Sequence, residues 1–98
     1  MKYTIKTSTF AKADRQNITH YLSQYSTIAP IKFQQELKKY IEIIQQTPHI
    51  FSEYIPDRNY RHVVIFGSYT IFYRINETDK TVFLYRILHG AQDIGNIL

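Results

Sequence analysis

Apolar residues recur along this chain with two periods, and the switch between them divides it into elements. Residues 3–7 alternate in the manner of a short opening strand, with Ser8 or Thr9 placed to cap a following helix. Between residues 10 and 25, Ile18, Tyr21, Leu22 and Tyr25 fall at i, i+3, i+4 and i+7, which puts them on one helical face. Pro30 suits the first turn of a second helix. Phe33, Leu37, Tyr40, Ile41 and Ile44 keep the helical spacing until Pro48 ends it. Only residues 26–29 join the two helices, so an antiparallel helical hairpin is expected, each helix carrying one apolar stripe that needs a sheet to cover it.

After an aperiodic stretch at 49–59 containing Pro56 and Asp57, the pattern becomes β. Segments 60–66, 69–75 and 81–89 are rich in Val, Ile, Tyr and Phe and are separated by Gly67-Ser68 and by residues 76–80. They predict a three-strand antiparallel meander. The expected fold is therefore α+β: a helical hairpin on one face of a four-stranded antiparallel sheet, the N-terminal strand joining the meander. The tail, with Ile94, Ile97 and Leu98 at i, i+3 and i+4, forms either a short helix packed back on the sheet or a surface for a partner to cover.

Read as a two-residue turn, Gly67-Ser68 makes 66 face 69, 64 face 71 and 61 face 74. Arg61 and Arg74 then become cross-strand neighbours. Like charges so placed cost up to roughly 1 kcal/mol, which points to an anion site rather than to stability. Val63, Ile65, Thr70 and Phe72 share that face in this register, and His62, Val64, Phe66, Tyr69, Ile71, Tyr73 and Ile75 form the core face. A five-residue loop at 76–80, the favoured reading, adds Arg86 to the arginine face. A four-residue loop turns it away.

The 98 residues, with no repeat or linker, fit one domain spanning 1–98. The absence of cysteine excludes disulfides and thiolate metal sites and favours a cytoplasmic setting. The mixed start Met1-Lys2-Tyr3-Thr4-Ile5-Lys6 is unlike a signal peptide, and no run approaches the ~18 apolar residues of a membrane span. Twelve Lys and Arg against eight Asp and Glu leave a net charge of +4, which suits nucleic acid or an acidic protein as partner and equally suits plain solubility. His20, His49, His62 and His89 are too dispersed for a short metal motif, so neither metal nor cofactor is expected.

The element order, together with the tail Arg86-Ile87-Leu88-His89-Gly90-Ala91-Gln92-Asp93, resembles the RelE/ParE toxin superfamily. The ParE branch commonly ends in R-[VI]-L-H-G-A-R-D, from which only Gln92 departs. Gly67-Ser68-Tyr69-Thr70-Ile71-Phe72-Tyr73 is similar to the family's G-x-Y-x-[IV]-x-Y strand. The resemblance implies a growth-arresting toxin of a type II toxin–antitoxin system, neutralised by a cognate antitoxin. ParE-like members poison DNA gyrase, whereas RelE-like members cut messenger RNA on the ribosome. Thr70 stands where the nuclease branch often has arginine, and no tyrosine follows in the tail, which favours gyrase.

Arg61, Arg74, Arg86 and His89 are then the expected target-binding residues and, on the nuclease reading, the catalytic ones without a metal. A bland reading, with His89 closing the last strand by a backbone hydrogen bond and the arginines gripping a protein, is favoured over chemistry. Tyr21, Tyr25, Tyr40, Ile94, Ile97 and Leu98 are the expected antitoxin contacts. A non-toxic nucleic-acid-binding or dimerisation module is a third alternative.

Overall fold

The structure is a computed structural model, and it describes residues 2–90 and 94–98. The elements run β1 (Thr4–Thr7), α1 (Thr9–Ser23), α2 (Ala29–Gln46), a single 3-10 turn at Pro48–Ile50, β2 (Arg61–Ile65), β3 (Tyr69–Asn76), β4 (Thr81–His89) and a terminal turn of helix, α3 (Ile94–Ile97). Ser8 caps α1: its hydroxyl accepts from the Ala11 N–H at 2.9 Å and donates to the Tyr85 carbonyl at 2.5 Å. Pro30 sits in the first turn of α2, and Ser26 supports the entry by accepting from the Ile28 and Ala29 N–H groups, both at 3.1 Å.

The sheet order is β1-β4-β3-β2. It is mixed, not wholly antiparallel: β1 pairs with β4 in parallel, Ile5 beside Val82 and Lys6 beside Phe83. Side-chain alternation sets which face a strand buries but not its direction, and a parallel neighbour needs only a long crossover, which the helices and the remaining strands provide. β1 stops opposite Leu84. Beyond that point α1 covers the open side of β4, where the Asp14 carboxylate accepts from the Ile87 N–H at 3.0 Å.

The expected hairpin register is shifted by one residue. Arg61 faces Tyr73, Val63 faces Ile71 and Ile65 faces Tyr69. The turn is centred on Phe66 and Gly67, at φ 51° and 74°, and closes with the Ser68 N–H donating to the Ile65 carbonyl at 3.2 Å. Two successive positive φ values are the signature of a type I′ turn, and Gly67 takes its second central place, leaving Ser68 as an extra residue. Val63 and Ile65 consequently face the helices, while Val64 is exposed and His62 lies on the far side against Phe72. The β3 assignment stands, with Tyr69, Ile71, Tyr73 and Ile75 toward the helices.

The main core lies between sheet and helices, where Phe33, Leu37 and Ile44 of α2 meet Ile71, Tyr73, Val82 and Leu84. A smaller apolar cluster occupies the opposite face: Tyr60, Phe72 and Leu88, with Tyr54, Tyr85 and the tail residues Ile94, Ile97 and Leu98 packed on it. The tail thus packs back on the sheet.

Candidate functional site

The one-residue shift separates the arginines that the expected register brought together. Arg61 is turned to the helix side of the sheet, where its guanidinium donates to the Phe51 carbonyl at 2.7 Å and holds the loop before β2. Beside it, the buried Tyr73 hydroxyl donates to the Pro48 carbonyl at 2.6 Å, and burial pushes its pKa up to about 12 against the opposing effect of Arg61. Arg74 points to the other face and lies over the Tyr60 ring, 5.5 Å from its centroid. A facing Arg61–Arg74 pair is therefore absent, and with it the single anion cradle that pair implied.

Asn76 pairs with Thr81, so the β3–β4 loop has four residues, a length that in an unbroken register would turn Arg86 away from the Arg74 face. A β-bulge between Phe72 and Tyr73 sets Arg86 opposite Phe72. Its side chain meets α1: Nε and an Nη donate to Asp14 at 2.8 and 2.9 Å, with the guanidinium 5.5 Å from the Phe10 ring. The hydrogen bond to Asp14 holds the guanidinium pKa above its ordinary value. Asp14 was not foreseen; an acidic residue in mid-helix has no distinctive spacing until its partner strand is known.

His89 closes β4 opposite Tyr69, and their rings lie 5.2 Å apart, edge to face. With Asn17, Ile18, Tyr21 and Tyr69 it lines a cleft of about 300 Å³ between α1 and the sheet. Burial raises the pKa of Tyr69, reinforced by Tyr21. The structure thus joins His89, expected to face the target, to Tyr21, expected to face the antitoxin.

The Tyr21 and Tyr25 rings meet at 5.1 Å, tilted by 57°, and are 54% and 74% exposed; with Ile28 and Ile31, also exposed, they make the tip of the helical hairpin apolar. Tyr40 packs on Phe51 at 5.9 Å at the edge of the main core. Thr70 is buried, paired with Val64 on one side and Leu88 on the other. Gln92 and Asp93 lie outside the described residues.

Residues 5–94 match the family model for the ParE toxin of the type II toxin–antitoxin system parDE. Among solved structures the chain is similar to the chromosomal ParDE system of P. aeruginosa, at 18% identity and a TM-score of 0.71 over 90% of this chain and 96% of that one. It is similar to the RelBE2 toxin–antitoxin complex of Mycobacterium tuberculosis at 16% identity and TM-score 0.65, covering 91% and 99% of the two chains. For the intact RelBE complex of E. coli the values are 12% and 0.64, over 92% and 99%. No curated protein matches.

Proposed function

This chain belongs to the ParE toxin family of type II toxin–antitoxin systems, and on that premise we propose that it arrests bacterial growth by poisoning DNA gyrase in the cytoplasm. The observation that carries the choice of target is the dispersal of the cations. Cleavage of RNA without a metal needs several cations converging on one phosphate beside an acid and a base. Arg61 is engaged by a backbone carbonyl, Arg86 by Asp14, and Arg74 lies over an aromatic ring on the face opposite Arg61. The buried Thr70 offers no charge where the nuclease branch often has arginine.

A surface that binds without chemistry suits this arrangement. On this reading Arg74 and His89 meet the target directly, while Arg61 and Arg86 brace the backbone behind them. A cognate antitoxin would cover the apolar hairpin tip at Tyr21 and Tyr25 and the His89 cleft, by a helix laid along α1. Tyr40 packs on Phe51 at the edge of the main core, and the tail residues Ile94, Ile97 and Leu98 lie on the opposite face of the sheet, apart from that surface.

Inducing the chain in a bacterium tests the target. DNA double-strand breaks and SOS induction are expected, without messenger RNA cut in the ribosomal A site. His89→Gln, which retains hydrogen bonding but does not titrate near neutral pH, is expected to stay toxic. A-site cleavage abolished by His89→Gln in a folded variant would make the chain a ribosome-dependent nuclease.

A further inference from the structure

The sheet face turned away from the helices carries a row of side chains of which only Arg74 has a part in the proposed target contact. In the parallel pairing Lys6 of β1 stands beside Phe83 of β4, and in the antiparallel pairing Phe83 stands beside Arg74 of β3. Val82, Leu84, Tyr73 and Ile75 all enter the main core, so alternation puts Phe83 and Arg74 on the opposite face. Strand spacing sets the Lys6 and Arg74 backbones about 10 Å apart with the ring between them. Phe83 is 37% exposed, a large apolar ring left open between two cations. The three line one depression of about 560 Å³.

Neither cation is ion-paired among the described residues. Arg74 lies over Tyr60, a contact that keeps its charge and fixes its place. Glu77 and Asp79 border the depression at the β3–β4 loop. Glu77 is bound by Lys80 at 2.8 Å and by His49, and Asp79 accepts from the Asn76 amide at 3.2 Å. The apolar tail packed on Tyr60 and Phe72 limits the other side. An anionic chain is thereby directed across the strands, from Lys6 over Phe83 to Arg74.

We propose that this row binds single-stranded nucleic acid, one base stacking on Phe83 while the flanking phosphates meet Lys6 and Arg74. An acidic peptide would satisfy the cations but has no use for the open ring between them. The Phe83 backbone is also already paired on both sides, with β1 and with β3, so no strand can be added beside the ring. Stacking is tolerant of base identity, so the binding is expected to be weak, salt-dependent and indifferent to sequence.

The test is fluorescence anisotropy on the full chain with labelled oligothymidylate and oligouridylate of about a dozen nucleotides, against an oligoglutamate peptide. Two phosphate contacts predict a slope of log affinity against log salt of roughly −1.4. Lys6→Gln and Arg74→Gln should each reduce that slope by about half. Phe83→Leu, which keeps an apolar side chain, should weaken binding roughly tenfold. Lys32→Gln, an exposed charge on α2, should change neither slope nor stacking. Equal affinity for the two oligonucleotides supports the row as described, and tighter oligouridylate binding supports it with a ribose 2′-OH contact. Three results overturn it: no binding, binding of the peptide as tightly as the oligonucleotides, or binding that Phe83→Leu leaves intact while its fold is unchanged.

Discussion

Two polar contacts, one buried and one half-buried, decide what single substitutions do. Tyr73→Phe removes the hydroxyl that satisfies the Pro48 carbonyl, and a loss of about 1–2 kcal/mol in denaturant unfolding is expected at neutral pH. The Tyr73 pKa is raised from 10.0 to about 12, so the folded state holds this proton more tightly than the unfolded one. Its contribution is complete below pH 10 and declines as pH rises toward 12; the gap between parent and Tyr73→Phe should narrow over that window. Asp14 and Arg86 form the second contact, joining α1 to the exposed side of β4. Asp14→Ala and Arg86→Ala should each cost about 2 kcal/mol, and the double variant little more than either, because both remove one interaction. If Arg86→Ala weakens toxicity and Asp14→Ala does so equally, Arg86 acts by bracing the fold; an effect confined to Arg86→Ala would make it a target contact.

At the scale of elements, the β2–β3 turn shows both the reach and the limit of sequence reading. Gly67→Ala should lower stability by about 1 kcal/mol, which for a domain of this size is a fall of about 5 °C in Tm by calorimetry. A Cβ there meets nothing within 4 Å, so the cost comes from φ +74° alone. An unchanged Tm would show that the turn tolerates another conformation. The helices were legible because 3.6-residue stripes, the Ser8 cap and Pro30 all agree. The hairpin was legible as a hairpin, but placing its turn required knowing that Phe66 accepts φ 51°. That conformation is rare for a bulky side chain and is held here by the Phe66 ring against Phe33 at 5.8 Å. One residue of error moved Val63 and Ile65 into the core and put Arg61 and Arg74 on opposite faces. The row Lys6–Phe83–Arg74 was invisible for a related reason: it exists only through the parallel β1–β4 pairing, which local patterns do not encode.

Across the whole molecule, Glu77 ties together segments far apart in the chain. Its carboxylate accepts from the Tyr3 hydroxyl at 3.1 Å just before β1, from Lys80 at 2.8 Å within its own loop, and meets His49 in the turn after α2. The contacts to Lys80 first, then to His49, lower its pKa from 4.5 to about 2. Because the folded state holds the charged form more strongly, the stability from Glu77 is fully present above pH 4.5 and is lost as pH falls toward 2. Full exposure of the group means that salt screens this contribution, so the effect should be small and should shrink further at high ionic strength. Urea midpoints measured from pH 6 to pH 2 for the parent and for Glu77→Gln should differ most at the upper end and converge at the lower. The distinction matters because a closure between the N-terminal strand, the helical hairpin and the meander is made of long-range contacts that no local element supplies. Curves that run parallel through the whole acid range would show that Glu77 makes no net folded-state contact with these partners, and would leave the main core, the β1–β4 pairing and the Asp14–Arg86 contact to hold the three segments together.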